Sequence, residues 1–154
     1  MLEIFLLALA LGCAANPGCR KKPEGPPVVT LENDQGQEVR VRVEVAASAQ
    51  ERQQGLMHRK HLDPDAGMLF IYSFEDNHGF WMKDTYIPLD IIFIGNNRRI
   101  MGIAENTRPL SLESIKVDTP SKFILEVNAG FAKKHGIREG SRVGFSGIGT
   151  GGLP

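Results

Sequence analysis

The sequence predicts a mainly β fold: a single compact β-sandwich or barrel-like domain with one or two short α-helices. Three observations lead to this prediction. The chain has 154 residues, the size of one ordinary domain. Seven or eight short segments have the alternating or apolar pattern of β-strands, with turn-forming residues between them. Only two short segments carry the signals that begin and end helices.

The composition narrows the class of protein. Hydrophobic residues make up 42% of the chain and charged residues 23%, as is usual for globular domains. Lys and Arg together number 18, and so do Asp and Glu, which gives a formal net charge of zero. A nucleic-acid-binding protein would show an excess of basic residues. We therefore expect no nucleic-acid partner.

The N-terminal region has the features of an export leader followed by a tether. Residues 4–12 are apolar, but they are fewer than the about 20 residues that a membrane-spanning helix needs. Residues 1–13 are therefore interpreted as a signal-peptide-like leader. The segment that ends at Cys13 resembles a bacterial lipobox, which predicts lipidation of Cys13. Residues 14–27 contain four prolines and a short basic run, so we expect an extended tether.

The first predicted elements are a hairpin and a helix. Valine alternates with charged residues over 39–45, as in a strand with one buried face. Residues 28–31 are expected to pair with this strand through a turn-rich stretch. Ser48 and Glu51 have the spacing of a capping box, which predicts a short surface helix over 49–56.

The rest of the chain contains the other predicted strands and a second helix. The further strands are expected at residues 68–72, 79–83, 89–94, 99–104, 123–127 and 142–146. Asn128 is expected to cap a helix over 129–135, which Gly136 would end. The glycine-rich residues 147–154 are expected to form a flexible tail. The predicted globular domain therefore spans residues 28–146.

Asp90 is the most informative polar residue because its strand is otherwise apolar. Five of the six residues of 89–94 are hydrophobic, which predicts a central strand with Asp90 at least half buried. An ionised carboxylate without a partner there would cost several kcal/mol. Asp90 must therefore bind a cation, accept backbone N–H groups or hold a proton, and Lys83 and Arg59 are the candidate cations. It forms either the polar floor of a pocket or a structural anchor for a loop.

Glu126 raises the same question, in the predicted strand 123–127. Trp81 is the only tryptophan and lies beside Lys83, close in sequence to the Asp90 strand. This placement suits the wall of a binding cleft, although a tryptophan also commonly fills a core. The two carboxylates also leave open a carbohydrate-directed hydrolase, with Asp90 and Glu126 as acid and base about 5–9 Å apart.

The sequence does not predict a metal or cofactor site. Cys13 and Cys19 are the only two cysteines, so residues 20–154 contain no thiolate nucleophile, disulfide or cysteine metal site. His58 and His61 are three residues apart, but two basic residues separate them, which is typical of a solvated turn. We expect no metal and no cofactor.

Four ordered motifs in the chain resemble one prokaryotic family. They are Gly-Leu-Met-His-Arg at 55–59, Gly-Met-Leu-Phe at 67–70, Phe-Trp-Met-Lys-Asp-Thr-Tyr-Ile-Pro-Leu-Asp-Ile at 80–91, and Leu-Glu-Val-Asn-Ala-Gly at 125–130 with Gly-Ile at 136–137. The pattern is similar to the family called domain of unknown function 192, over about residues 39–146. The resemblance implies a mostly β single domain, often behind a signal peptide or lipoprotein leader. It implies no established activity, and Asp84 stands where the family usually has Asn.

These observations together lead to a functional expectation. We expect an exported, lipid-anchored β-domain of the cell envelope that binds a small molecule or a partner protein without catalysing a reaction. The residues expected to line its pocket are Arg59, Trp81, Lys83, Asp90 and Glu126. In this interpretation Trp81 stacks on the ligand, Lys83 and Arg59 bind its negative groups, and the carboxylates orient it. The alternatives are the hydrolase that uses Asp90 and Glu126, and a purely structural envelope module.

Overall fold

Seven β-strands and two short helices make up the described part of the chain. The structure is a computed structural model that describes residues 25–149. The strands are β1 (Val28–Glu32), β2 (Glu38–Ala46), β3 (Ala66–Asp76), β4 (Leu89–Ile94), β5 (Ile100–Ala104), β6 (Ser121–Asn128) and β7 (Val143–Ser146). The helices are α1 (Ala49–Gln54) and α2 (Phe131–His135). The predicted leader with Cys13, most of the tether and residues 150–154 lie outside the described range.

The strands form one curled sheet in the order β5-β4-β6-β3-β2-β1-β7. Neighbouring strands are antiparallel except β2 and β3, which are parallel and are therefore joined by a crossover that contains α1. The two edges of the sheet approach each other, because the backbone N–H of Val143 donates to the carbonyl of Arg98 at 2.9 Å. The predicted mainly β, barrel-like domain is confirmed, as a single sheet that curls on itself.

The curled sheet has an apolar core on each face. The concave face holds a cluster to which every strand contributes, including Val41, Leu69 and Phe123, and α2 packs against it through Phe131. The convex face of β3, β4 and β6 carries a second cluster that the segments after α1 and before β4 cover. Ile148 is buried in the concave core, so the folded domain extends beyond the predicted boundary at residue 146.

The predicted hairpin and the first helix are confirmed. Val29 of β1 pairs with Val41 of β2 in an antiparallel register, as the valine alternation indicates. At the start of α1, the Ser48 hydroxyl accepts the backbone N–H of Glu51, and the Glu51 carboxylate accepts the N–H of Ser48 at 2.8 Å. This reciprocal pair is the predicted capping box, and the helix ends at Gln54, two residues earlier than expected.

The predicted strand at 79–83 is wrong. The segment makes a single β-bridge, between Phe80 and Ile115, and then turns at Asp84, whose φ is +52°. Phe80 and Met82 face the second core cluster while Trp81 and Lys83 are exposed. The alternation therefore arises because this irregular segment packs on the convex face of the sheet, not because it belongs to the sheet.

The predicted cap of the second helix is also wrong. Gly130, with a left-handed φ of +80°, is the N-cap of α2, and its lack of a Cβ makes this conformation inexpensive. The Asn128 side-chain amide instead donates to the carbonyls of Leu62 and Asp63, both at 3.0 Å. Asn128 thus holds the loop before β3 rather than the helix.

Candidate functional site

A small cavity lies on the convex face of the sheet, between α1, β3, β6 and the irregular segment before β4. Its volume is about 70 Å³. One water molecule needs about 10–15 Å³ of such space, so the cavity has room for several water-sized groups. Its lining residues are Arg52, Gln53, Gln54, Gly55, Leu56, Met57, Phe70, Tyr72, Gly79, Phe80, Trp81, Thr85 and Glu126. We call this space the Glu126 cavity.

Glu126 lines this cavity from β6. In the sheet register it lies opposite Met68 on β3 and Ile91 on β4, so its side chain shares the convex face with them. Glu126 is 5% exposed, and no residue among 25–149 makes a hydrogen bond or ion pair with its carboxyl group. Burial without a compensating partner raises the pKa of Glu126 from 4.5 to about 8. The carboxyl group is therefore mostly protonated at neutral pH.

A stacked polar–aromatic group forms the side of the cavity near α1. The Arg52 guanidinium donates to the carbonyls of Ala47 and Ile71 and lies 4.7 Å from the centre of the Tyr72 ring. The Tyr72 ring also stacks on the His78 ring, with ring centres 3.5 Å apart. Burial raises the pKa of the Tyr72 hydroxyl and lowers the pKa of His78, so both are neutral at pH 7. Arg52 is the charged residue of this wall.

Gly55 and Trp81 shape the rest of the cavity. A Cβ on Gly55 would come within 3.2 Å of the Phe70 ring, so a glycine lets the chain after α1 pass close over β3. Trp81 is 48% exposed, with the Lys83 ammonium 5.4 Å from its ring centre. Phe80 meets Phe70 edge-to-face at 5.1 Å and forms part of the apolar wall. The cavity thus combines a buried acid with aromatic surface and a half-exposed tryptophan.

Asp90 is buried as predicted, but in a different environment. It lies on the concave face, where one carboxylate oxygen accepts the backbone N–H groups of Asn106 at 2.9 Å and Gly130 at 3.1 Å. The other oxygen accepts the N–H of Ala132 at 2.9 Å. Of the three partners considered from the sequence, backbone N–H groups are the one observed. Asp90 therefore joins the loop after β5 to the start of α2, as a structural anchor.

Comparison with known proteins places the chain in a family. The family model DUF192, described as "Uncharacterized ACR", matches residues 30–145. The chain belongs to the DUF192 family. Comparison with curated proteins gave no match.

Two solved structures resemble this DUF192 domain closely. A Sinorhizobium meliloti protein described as a "putative transcription regulator" is 38% identical, with a TM-score of 0.76 over 79% of this chain and 95% of its own. A Novosphingobium aromaticivorans protein of unknown function is also 38% identical, with a TM-score of 0.73 over 76% of this chain and 83% of its own. Both similarities extend over most of the described fold.

The two candidate cations of this DUF192 domain do not reach Asp90. Instead, the two terminal nitrogens of Arg59 donate to the two carboxylate oxygens of Glu44, at 2.7 and 2.5 Å. Lys83 is exposed and lies beside Trp81. Of the alternatives that the sequence left open for Asp90, a cation is therefore not the one found, because backbone N–H groups supply every hydrogen bond that Asp90 makes among the described residues. Of the five predicted pocket residues, Trp81 and Glu126 alone line the Glu126 cavity.

The arrangement also bears on the hydrolase alternative. Asp90 lies opposite Val127 in the register, and Glu126 lies opposite Ile91, so the two carboxyl groups point to opposite faces of the sheet. An acid–base pair must flank one scissile bond within a shared cleft. The sheet separates these two groups, so the geometry that the hydrolase interpretation needs is not provided.

Sequence reasoning missed Arg52 and Tyr72 in the cavity wall. Tyr72 follows Met68 and Phe70 at the strand period, so the alternation places all three on one face. The sequence therefore carried that signal. The position of Glu126 opposite Met68, however, depends on the pairing of β3 with β6, and these two residues are 58 positions apart in the sequence.

No group of His, Cys, Asp or Glu within residues 25–149 has the arrangement of a metal site. No helix in the same range is long and apolar enough to cross a membrane.

Proposed function

We propose that this DUF192 protein is an exported, lipid-anchored ligand-binding protein of the cell envelope that takes a small molecule into the Glu126 cavity without catalysis. The single observation that carries the binding proposal is Glu126, a buried carboxyl group that has no partner among the described residues and lines a cavity. The carboxyl oxygens open onto the cavity, since the fully enclosed side-chain atoms without a partner among the described residues are Nε2 of His78 and Oγ of Ser121. A ligand in the cavity can therefore supply the hydrogen bond that the protein does not.

The surroundings of Glu126 support binding rather than a purely structural role. The cavity is concave and combines aromatic surface from Phe70, Phe80 and Trp81 with several polar groups that can hydrogen-bond a ligand. Trp81 keeps nearly half of its surface exposed at this site, where a ligand can bury it. The proposal of export and lipidation is supported by the leader-like sequence of residues 1–13 and by Cys13 at its end. The equal numbers of acidic and basic residues give no basic excess, which does not support a nucleic-acid-binding role for this chain.

A ligand screen with two matched variants tests the proposal. The full chain is screened against a library of small fragments by the shift in Tm, since a ligand of the folded state raises Tm. We expect hits that stabilise the wild type and Tyr86→Ala, but not Trp81→Ala. Tyr86 is a suitable control because it is 47% exposed, almost the same as Trp81, and does not line the cavity. Hits that stabilise all three proteins equally would contradict the proposed site, and a screen without hits would favour the structural module.

A further inference from the structure

Arg52 lines the Glu126 cavity with hydrogen-bond donors that the protein does not use. Its Nη1 donates to the carbonyls of Ala47 and Ile71. Nε and Nη2 have no acceptor among residues 25–149, and no carboxylate in that range forms an ion pair with Arg52. A guanidinium carries five N–H donors in one plane, and Nη1 uses two of them here. Three donors are therefore left for a ligand.

The fold holds this guanidinium in place. Its two backbone acceptors lie on different parts of the chain, since Ala47 precedes α1 and Ile71 belongs to β3. The acid next to it in sequence, Glu51, uses its carboxylate to accept the N–H groups of Ala47 and Ser48 in the capping box. Arg52 is thus a half-buried, positioned cation without a counter-ion in the described part of the chain.

The lining of the cavity is positively charged at neutral pH. Arg52 is its cation, while Glu126 holds a proton because burial raises its pKa to about 8. Lys83 adds a second positive charge nearby, with its ammonium 5.4 Å from the centre of the Trp81 ring that lines the cavity. Asp84, which follows Lys83, is not among the lining residues. The site therefore attracts anions and repels cations.

Two kinds of donor face the same space, and a carboxylate can accept from both. A protonated carboxyl group donates one hydrogen bond, a guanidinium donates several, and a carboxylate has two acceptor oxygens. Its three heavy atoms fit a space for several water-sized groups. A neutral amide or alcohol would leave Arg52 without a counter-ion, and a phosphate group would bring more negative charge than the one lining cation balances.

We infer that the Glu126 cavity, whose role as a ligand site rests on the proposed function, binds a small organic carboxylate. The carboxylate group accepts hydrogen bonds from the Glu126 carboxyl group and from Nε or Nη2 of Arg52. Trp81 is 48% exposed where it lines the cavity, so the cavity opens to solvent there and leaves room for the rest of the ligand.

The expected pH dependence follows from Glu126. The titratable or charged groups around it are Arg52 on α1, Tyr72 on β3 with His78 stacked on it, and Lys83 before β4, whereas its neighbour on β4 is the apolar Ile91. Glu126 loses its proton near pH 8. The ionised form cannot donate to a ligand carboxylate and repels it. Binding should therefore be similar at pH 6 and pH 7 and about tenfold weaker at pH 9.

Three probes of one shape test the inference. Benzoate, benzamide and benzamidine carry a negative charge, no charge and a positive charge on the same ring. The indole N–H of Trp81 is the reporter in NMR titrations of the full chain, because Trp81 is the only tryptophan and lines the cavity. We expect saturable binding of benzoate, at least tenfold weaker binding of benzamide and no binding of benzamidine.

The same titrations can overturn the inference. Benzamide or benzamidine that binds as tightly as benzoate would contradict it, and so would the absence of saturable benzoate binding. Phenyl phosphate is the fourth probe. Tighter binding of phenyl phosphate than of benzoate would assign the cavity to phosphate groups instead.

Matched variants provide a second readout. Arg52→Gln should weaken benzoate binding at least tenfold and abolish the preference for benzoate over benzamide. Arg138→Gln removes the same charge from an exposed position outside the cavity and should leave binding unchanged. Glu126→Gln keeps a donor, so it should bind benzoate within about threefold of the wild type at pH 7 and keep this affinity at pH 9.

Two results with these variants would contradict the inference. One is an unchanged affinity for benzoate in Arg52→Gln. The other is a wild-type affinity that does not fall between pH 7 and pH 9 relative to Glu126→Gln, and this result decides the question even if Arg52→Gln fails to fold.

The outcomes also separate this inference from the proposed function. Should benzoate fail to bind while the fragment screen gives neutral or cationic ligands that need Trp81, the carboxylate inference is wrong and the binding site stands. Should neither experiment give a ligand that depends on Trp81, Arg52 or Glu126, both are wrong.

Discussion

Asp90 and Glu126 are two buried carboxyl groups on adjacent strands that the fold treats in opposite ways. Asp90 is fully buried and accepts three backbone N–H groups at 2.9 to 3.1 Å, from the loop after β5 and from the start of α2. Glu126 is 5% exposed, has no partner within the described residues and lines a cavity. The two residues are offset by one position in the register and therefore point to opposite faces of the sheet.

The difference shows that burial of a charged residue does not by itself mark a functional site. Asp90 holds three segments together, and nothing about its environment calls for a ligand. Glu126 lacks such bonds, so burial acts on its pKa without compensation. A buried carboxyl group without a hydrogen-bond partner lowers the stability of the ligand-free protein. Such groups occur mostly at functional sites, where a ligand or substrate contacts them. The satisfied group is structural, and the unsatisfied group is the candidate for binding.

The largest expected effect is the loss of the Asp90 anchor. Asp90→Ala leaves three backbone N–H groups without an acceptor, at about 1–3 kcal/mol for each buried group. Because Asn106 lies near solvent, we expect the free energy of unfolding to fall by about 3–5 kcal/mol in urea titrations.

Two other variants make this measurement specific. Asp90→Asn keeps one acceptor oxygen and should lose less stability than Asp90→Ala. Asp65→Ala removes an exposed carboxylate that pairs with Arg42 and should cost far less stability than Asp90→Ala, because solvent screens this pair. A loss below 1 kcal/mol in Asp90→Ala would show that water replaces the carboxylate, and the contrast with Glu126 would fail.

The second effect is the pH dependence that Glu126 imposes. The folded state holds the Glu126 proton up to about pH 8, whereas the unfolded state releases it near 4.5. Between these values the folded state binds more protons, so the contribution of Glu126 is greatest at low pH and declines as the pH rises, by about 1.4 kcal/mol per pH unit. Glu126→Gln removes this decline, so its stability relative to the wild type should rise by about 3 kcal/mol between pH 5 and pH 7.

Urea titrations of both proteins at pH 5, 6, 7 and 8 measure this difference. Glu44→Gln is the matched control, and its stability relative to the wild type should stay constant over the same range, since Glu44 is exposed. A constant difference for Glu126→Gln as well would mean that Glu126 titrates normally and is solvated in the folded protein.

The smallest expected effect concerns a carboxylate that a cation does pair with. Nη2 of Arg59 lies 2.5 Å from Oε2 of Glu44. The Glu44 side chain is 56% exposed and the Arg59 side chain is 37% exposed. Exposed ion pairs contribute about 0–1 kcal/mol. Glu44→Gln should therefore lower the free energy of unfolding by less than 1 kcal/mol, and the difference should shrink further in 0.5 M salt. A loss comparable to that of Asp90→Ala would show that this pair anchors the chain as Asp90 does.

Much of the fold could be predicted because its signals are local. The valine alternation of β2 and the capping box of α1 depend on residues within a few positions of one another. The burial of Asp90 followed from the apolar residues of its own strand. The prediction of a strand at 79–83 was wrong because it also used a local signal. Alternation shows which side chains are buried, but it does not show whether the backbone pairs with another strand.

The candidate site could be predicted only in part. Trp81 and Glu126 were identified from residue type and pattern, but Arg59, Lys83 and Asp90 lie elsewhere. Their positions depend on contacts between distant parts of the chain.

The sequence by itself therefore determined the β architecture, the family and the presence of two acidic residues in apolar strands. The tertiary structure decided which of the two acids is satisfied. A strand pattern fixes that a side chain points inward, but not which of the two faces it enters or what covers that face. The covering segments come from remote positions: α2 brings N–H groups to Asp90, while the segment after α1 brings apolar surface and the segment before β4 brings aromatic surface to Glu126.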